Sequence, residues 1–434
     1  MSKYFVKILL LNFFLVATVN ILAQTVRDAI RLDLRLAANS DMAYPEPHKD
    51  VTPAPAGYVP FYVTHYGRHG SSYSDLADTY EKPYRILTDA DKAGALTPLG
   101  RDVLRRVACV VADAKDRHGE LTPIGASQQR DIARRLVERF PEVFAGRSDV
   151  MARSVPTTSC ILSMEYFMMQ LAIMCPELPI HHNATNRDMY FLDQRDRHLS
   201  DVQKTALADE RLTSYMHRQA TPDRQMRLTR SLFSDMDYVS RHVDVATFDD
   251  ALFRVAASVQ NSPLRDSLTL LDLFTADEAY RYWQKDNARW YVSYGNSPIS
   301  GGKMPYTQRN LLRRMVHDAD SCLFLPHPSL NLRFGPVTCV MPLVCLLDVN
   351  GFGVVTDSLE SLEQHGWRAG RIAPMGANLQ LVFYHRFVHD TDVLFKVLLN
   401  EEEATLPLPA VQGPYYRWSD FRQYCLSKLD AYVE

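Results

Sequence analysis

The stretch YVPFYVTHYGRHG, residues 58–70, decides the fold class. Its first half, Tyr58–Thr64, is rich in aromatic and β-branched residues, which is typical of a buried strand. The cluster Tyr66–Gly70 follows directly, where such a strand should end. Ligands of open α/β sheets bind at the carboxyl ends of the strands, so this cluster is a candidate functional loop. Arg-His-Gly alone is a weak signal, since the tripeptide also occurs by chance in loops with a solvated arginine.

Two segments downstream begin alike and predict helices. Leu96–Gly100 and Leu121–Gly125 each place a Thr at the expected N-cap and a Pro at the first helical position. Apolar residues then recur at helical spacing, which predicts one buried face on each helix and packing of both helices on a sheet. Asp149–Ala152 is predicted to be a second short strand, with Arg153 immediately after it.

The first residues, MSKYFVKILLLNFFLVATVNILAQ, predict a secretory signal peptide, because two lysines precede an apolar run that ends before Ala23. The alternative, an uncleaved membrane anchor, is less favoured because the run is short of the roughly 20 residues that a spanning helix needs. We therefore expect cleavage near Ala23 and an exported protein, periplasmic or secreted, without stable membrane insertion.

The middle of the chain has a different pattern from its ends. Thr158–His317 is polar and helical without a convincing strand, so we expect an inserted α-helical cap domain. Strand signals return at Asn331–Phe334, Leu379–His385 and Val393–Leu398. The apolar run Val337–Val349 predicts a buried helix. The predicted fold class is therefore α/β, a sheet with flanking helices plus the cap. The predicted divisions are a signal peptide, 1–23; an α/β domain, 24–157 with 318–434; and the inserted domain, 158–317.

Composition sets limits on partners and cofactors. The 434 residues include 48 Lys plus Arg and 51 Asp plus Glu, a formal charge of -3, so no global field favours nucleic acid. The seven Cys include no C-x-x-C pair, which argues against a structural zinc site. The adjacent His181 and His182 are predicted to lie in a surface turn. We expect no metal, no other cofactor and no nucleic-acid partner; oligomeric state is left open.

Several segments, in their order along the chain, resemble the histidine acid phosphatases, and within them the multiple inositol polyphosphate phosphatases. They are FYVTHYGRHG, LTPIGASQQRDIARRL, ARSVPTTSCILSM, WYVSYGNSPISGGKMPYTQRNLL, LRFGPVTCVMPLVCLLDVNGFG and PMGANLQLVFYH. Together they cover nearly the whole mature chain, and a series of spaced segments is far more specific than Arg-His-Gly. The resemblance implies a histidine-phosphatase-like sheet and metal-independent hydrolysis of a small phosphate ester through a phosphohistidine.

The resemblance also implies roles for particular residues. His69 corresponds to the family's nucleophile, Arg68 to an arginine that holds the phosphoryl oxygens, and Arg153 to a second such arginine later in the chain. These residue types suit the chemistry, because a neutral imidazole nitrogen is a competent nucleophile and guanidinium groups match the oxygens of a transferring phosphoryl group.

Departures from the family pattern are equally informative. Ser72 stands where the motif Arg-His-Gly-x-Arg has its second arginine. Gly335-Pro336-Val337-Thr338 stands where the family carries Gly-His-Asp or His-Ala-Glu, a second His on the phosphate and a proton donor. Neither Pro336 nor Val337 can transfer a proton, whereas Thr338 offers a hydroxyl to the phosphate. A general acid typically contributes about 100- to 10,000-fold in rate, so turnover is expected to be impaired.

Two functional readings remain open. Intact His69, Arg68 and Arg153 favour a phosphomonoesterase with reduced activity on inositol polyphosphate or similar esters. Ser72, Pro336 and Val337 favour a non-catalytic binder of phosphorylated ligands, a pseudophosphatase. A third reading, a phosphoglycerate mutase relative, shares Arg-His-Gly but fits poorly with the export signal and the large insertion.

Overall fold

The computed structural model describes residues 25–194, 196–220 and 222–432, so the predicted signal peptide lies outside the described residues. Its strands are β1 (Val59–Arg68), β2 (Asp149–Ser154), β3 (Ile180–Ala184), β4 (Ser329–Gly335), β5 (Asn378–His385), β6 (Leu394–Leu399), β7 (Glu402–Ala404) and β8 (Tyr416–Arg417). They form one mixed sheet in the order β3-β2-β4-β1-β5-β6-β7, with β8 paired to β6. The mixed α/β architecture predicted from the sequence is confirmed.

The helices surround this sheet and extend beyond it. They are α1 (Val26–Leu32), α2 (Asp78–Lys92), α3 (Pro98–Ala114), α4 (Pro123–Arg139), α5 (Thr158–Met174), α6 (Met189–Leu192), α7 (Arg197–Leu207), α8 (Glu210–Gln219), α9 (Pro222–Leu232), α10 (Met236–His242), α11 (Val245–Ser258), α12 (Ala276–Tyr294), α13 (Arg309–Cys322), α14 (Val337–Leu346), α15 (Ala369–Ile372) and α16 (Trp418–Asp430). Among the described residues, no helix has the length and apolar character needed to cross a membrane.

The central strand β1 sets the orientation of the functional edge. β1 pairs in parallel with β4, which in turn pairs in parallel with β2. On its other side β1 pairs with the antiparallel β5. Tyr62, Val63 and Tyr66 of β1 are fully buried, as a strand covered on both faces requires. The carboxyl ends of β1, β2 and β4 therefore meet at one edge of the sheet.

The predicted helix starts of α3 and α4 are confirmed. The hydroxyl of Thr97 accepts a hydrogen bond from the backbone N–H of Gly100 at 3.0 Å, and Thr122 accepts one from Gly125 at 3.2 Å. α4 packs on the sheet as predicted, sharing a core cluster with β1, β2 and β4. α3 does not: its buried valines belong to a core cluster that also contains residues of α2, α9 and α11. An amphipathic pattern shows which face is buried but not what covers it.

The prediction that no strand lies between Thr158 and His317 is wrong. β3 pairs in parallel with β2, and α5 connects the two strands. His181 and His182, predicted to lie in a surface turn, are exposed residues of this edge strand. An edge strand with polar residues and one partner leaves no apolar signal in the sequence, which explains the error. The division into domains stays a prediction.

Candidate active site

The candidate active site begins where β1 ends. Arg68 is the last residue of β1, and the backbone N–H of the next residue, His69, donates to the carbonyl of Gly335 at the end of β4 (3.1 Å). The carbonyl of His69 accepts from the backbone N–H of Gly376 at 2.9 Å. Gly70 lies so close to α4 that an added Cβ would stand 2.6 Å from the carbonyl oxygen of Gly125. The loop is thus fixed on three sides.

The geometry of His69 makes one ring nitrogen available for chemistry. Its Nδ1 lies 2.9 Å from the carbonyl oxygen of Gly70, which can only accept, so Nδ1 carries the hydrogen. Nε2 therefore keeps its lone pair. Burial and the neighbouring Arg68 lower the pKa of His69 to about 3, because both disfavour the imidazolium. The ring is consequently neutral over about pH 5 to 8, as a nucleophile must be.

Arg68 is held by the N-terminal segment that follows α1. Its Nη1 donates to the carbonyl oxygens of Ser40 at 2.5 Å and Ala373 at 2.9 Å. Its Nη2 lies 3.6 Å from the carboxylate of Asp41. The side chain of Arg68 is 4% exposed, whereas that of Asp41 is 64% exposed. The guanidinium of Arg68 is therefore buried beside an exposed carboxylate.

Backbone contacts of the N-terminal segment hold that carboxylate in place. The side-chain oxygen of Asn39 accepts from the backbone N–H of Gly370 at 2.8 Å. The side-chain amide of Asn261 donates to the carbonyl of Asp41 at 2.7 Å. The segment bends at Asn39, which adopts a positive φ of 55° and is fully buried. Asn tolerates this left-handed region better than most residues.

Arg153 has different surroundings. It lies on β2 in register with Arg333 of β4. Its Nε is 3.5 Å from a carboxylate oxygen of Asp188. Burial lowers the pKa of Arg153, and Arg333 contributes to the same effect while Asp318 opposes it. None of the contacts described for Arg153 is with His69 or Arg68, so its assignment to the phosphate pocket stays a prediction.

The three departures from the family motif lie in the two segments whose backbones meet at His69 and Gly335. The hydroxyl of Ser72 lies 3.4 Å from Nδ1 of His69, so a neutral group stands beside the nucleophile. Pro336 is the N-cap of α14 and makes no side-chain cap. Val337, 9% exposed, belongs to the main core cluster. A Cβ at Gly335 would collide with the hydroxyl of Tyr66, so a larger residue there would require Tyr66 to shift.

The fold also brings residues to this edge that sequence reasoning missed. The backbone N–H of Gly70 donates to the hydroxyl of Ser163 on α5 at 3.1 Å. The thiol of Cys339, next to Thr338, donates to the carboxylate of Asp193 at 3.4 Å. Burial raises the pKa of the Cys160 thiol to about 12, so it stays protonated. No local pattern could have indicated Asp41 beside Arg68 or Asp193 beside Cys339, because only the tertiary fold brings these side chains together.

Metal ligands do not cluster in the part of the chain that the structure describes. No group of three or more His, Cys, Asp or Glu side chains there has the arrangement of a metal site. His182 instead contacts Glu165, with 2.9 Å between Nδ1 and the carboxylate oxygen.

A neutral histidine with an available Nε2 lies at the end of the central strand of a mixed α/β sheet, the arrangement that the sequence resemblance predicts. The chain belongs to the histidine phosphatase superfamily, branch 2, whose family model matches residues 72–400. The match begins just after His69, at Ser72.

Similar proteins agree with this membership. Multiple inositol polyphosphate phosphatase 1 of Gallus gallus is 23% identical over 381 residues, which are 82% of this chain and 79% of the relative. The multiple inositol polyphosphate phosphatase of Bifidobacterium longum, solved with inositol hexasulfate, superimposes with a TM-score of 0.75 at 16% identity, covering 90% of this chain and 97% of that one. The phytase from D. castellii gives a TM-score of 0.65 at 14% identity, covering 92% and 86%. At such identities these structures establish the fold.

Proposed function

We propose that this chain is a phosphomonoesterase that acts on an inositol phosphate or a similar ester through a phosphohistidine at His69. The observation that carries the proposal is the unprotonated Nε2 of a neutral His69 at the carboxyl end of the central strand. The relatives support the substrate class, since they include phosphatases of inositol polyphosphates and a phytase.

The proposed reaction has two displacements at phosphorus. Nε2 of His69 attacks, the bond from phosphorus to the alcohol oxygen breaks, and the departing oxygen takes its proton from water. Water then attacks the phosphohistidine and releases inorganic phosphate, which restores His69. Arg68 would hold the phosphoryl oxygens through Nη2, the nitrogen that faces Asp41 in the free protein. Thr338 would add a hydroxyl contact to the phosphate. Arg153 would contribute to phosphate binding only after its side chain moved away from Asp188.

We propose that turnover is slow compared with a family member that has the complete motif. Ser72 supplies no positive charge to the phosphate, and Pro336 supplies no imidazole. Val337 cannot protonate the leaving oxygen, which is the most costly of the three losses when the leaving group is an alkoxide. Removal of preorganised groups that stabilise developing charge typically costs about 3 to 4 kcal/mol each.

The second candidate is a non-catalytic binder of phosphate esters. It is favoured by the same three positions, Ser72, Pro336 and Val337, which lack the groups that catalysis would need. The two candidates differ in whether phosphorus ever forms a bond to His69.

The deciding experiment combines product release and covalent trapping on the mature chain. Phosphate release is measured with phytate and with an aryl phosphate, and a brief incubation with a reactive phosphate ester is followed by mapping of acid-labile, base-stable label. The proposal expects label on His69. His69→Asn must abolish it, whereas His181→Asn, which alters an exposed histidine, must not. Label on another residue would refute the proposed mechanism, and absence of label at every pH would favour the binder.

Export is a further part of the proposal. The lysines, the apolar run and Ala23 support a mature chain that starts close to Gln24. N-terminal sequencing of the protein from its native host decides this, since an intact Met1 on a membrane-bound product would contradict it.

A further inference from the structure

A polar cavity of about 170 Å³ lies beside the start of α14. Thr338 lines it from α14, Asp193 and Gln194 from the loop before α7, and Thr307 and Gln308 from the segment before α13. A single water needs only about 10–15 Å³ of such space, so the cavity has room for a larger group.

Two buried hydrogen-bond acceptors of the lining have no partner among the described residues. Gln308 is 2% exposed, and its side-chain oxygen has no hydrogen-bond partner among the described residues. The side-chain oxygen of Gln194 is likewise buried and unpaired there. A buried acceptor without a partner is costly, so two of them in one cavity indicate a donor that is supplied from outside the chain.

Hydroxyl groups of the lining also present their oxygens. The hydroxyl of Thr307 donates to the carbonyl of Met304 at 2.9 Å, and that of Ser200 donates to the carbonyl of Asp196 at 2.7 Å. With their hydrogens engaged, both oxygens have only lone pairs left to offer. Asp193 adds a carboxylate whose described contact is the neutral Cys339 thiol. The cavity thus matches a ligand rich in O–H donors.

The position of the cavity connects it to the nucleophile. Thr338 is three residues beyond Gly335, whose carbonyl holds the backbone of His69. Three residues span at most about 11 Å, so the cavity lies within reach of the alcohol part of an ester whose phosphate is bound at His69. The charged lining residues that the structure describes are Asp193 and Asp196, and Arg309 pairs with Asp196 at 2.7 Å. Asp193 is then the charged lining residue without a described cationic partner, and its carboxylate repels additional phosphate groups.

We infer that this cavity is a subsite for the hydroxyl-rich alcohol part of the substrate, so that the chain prefers sparsely phosphorylated polyols to fully phosphorylated inositol. The inference rests on the proposed function for the position of the phosphoryl group. Free hydroxyls donate to Asp193, Gln194 and Gln308, while the phosphate faces His69.

The test compares Michaelis constants for myo-inositol monophosphate, inositol hexakisphosphate, an aminoalkyl phosphate and phenyl phosphate. We expect the wild-type KM to be lowest for the monophosphate. Hydrogen bonds to charged groups are strong, so Asp193→Asn should raise the KM for the monophosphate about tenfold. The preference for the monophosphate over the hexakisphosphate should shrink accordingly. Asp201→Asn on α7, an exposed carboxylate that pairs with Lys204, is the matched control and should change neither KM. A lowest KM for the hexakisphosphate or for the aminoalkyl ester would overturn the inference.

A binding measurement separates this inference from the proposed function. Calorimetric titration of His69→Asn with phosphate-free myo-inositol requires no turnover, and we expect binding that Asp193→Asn with Gln194→Leu abolishes. Thermal unfolding checks that each variant is folded. Inositol binding without any hydrolysis by the wild type would reject the enzyme and keep the subsite. Hydrolysis without inositol binding would reject the subsite and keep the enzyme.

Discussion

Restoring the missing groups at the start of α14 should selectively restore hydrolysis of esters with poor leaving groups. The change is Pro336→His with Val337→Asp. Pro336 has φ -81° and ψ 168°, extended angles that histidine adopts without strain. An aspartate at position 337 would be the first residue of α14, where the helix N-terminus favours a negative charge by about 0.3–1 kcal/mol.

The expected cost in stability is modest and the expected gain in rate is large. Removing Val337, which is 9% exposed, forfeits about 1.5–3 kcal/mol of apolar burial. Desolvation of the new carboxylate adds to this cost and the helix terminus offsets part of it; a domain is typically stable by about 5–15 kcal/mol, so the variant should fold, which thermal unfolding checks. A general acid contributes about 100- to 10,000-fold when the leaving group is a basic alkoxide, and far less when an activated phenol leaves unprotonated.

The assay is phosphate release from phytate and from an aryl phosphate under identical conditions. Phytate hydrolysis should rise by about 100-fold or more, and aryl phosphate hydrolysis by much less. Pro336→His with Val337→Asn is the control, because it matches the shape but carries no transferable proton. Equal rescue of both substrates would show a general positioning defect. Efficient phytate hydrolysis by the unmodified chain would show that another group supplies the proton, and the reasoning about Val337 would be refuted.

Three further outcomes are expected. Because the pKa of His69 is about 3, the rate of phosphohistidine formation in rapid-quench experiments should depend little on His69 ionisation from about pH 5 to 8 and fall in stronger acid; an imidazole titration near neutral pH would contradict this. Asp41→Asn removes a carboxylate 3.6 Å from Arg68, and an exposed pair contributes about 0.2–1 kcal/mol, so the inhibition constant of inorganic phosphate should fall about two- to fivefold. Burial raises the pKa of Asp249, which accepts from the Tyr282 hydroxyl, from 3.8 to about 6. The folded state therefore holds this proton more tightly, and about 3 kcal/mol of stability is lost as pH rises from 4 through 6. Asp249→Asn should reduce the difference in unfolding free energy between pH 4 and pH 6, measured by denaturant titration. An unchanged dependence on pH would contradict the raised pKa of Asp249.

The buried strands could be predicted from the sequence, whereas their surroundings could not. β1, β4, β5 and β6 are apolar runs, and each lies within a few residues of its prediction because a strand buried on both faces requires such a run. β3 was missed since an exposed edge strand imposes no comparable requirement. The buried helix predicted over Val337–Val349 is confirmed as α14, whose residues are almost all buried.

The candidate site was predictable only as far as its local motif. His69 follows β1 as the sequence indicates, and Ser72 and Gly335 contact it directly. Asp41 and Asp193 come from segments remote in sequence, and their importance depends on distances that no motif encodes. The surroundings of Arg153 could not be predicted either. The register of β2 against β4 places Arg153 beside Arg333, and no sequence motif indicates that register.

The pairing of β1 has a consequence for how the chain is made. β1 ends at Arg68, yet its two neighbours are β4, which begins at Ser329, and β5, which ends at His385. A nascent chain on the ribosome therefore carries this buried central strand unpaired until most of the protein has been synthesised. Folding slows as native contacts become more remote in sequence, and unpaired strands promote aggregation. Chains truncated before β5 should consequently depend on chaperones to remain soluble. Those that are not protected in this way should be degraded by proteases.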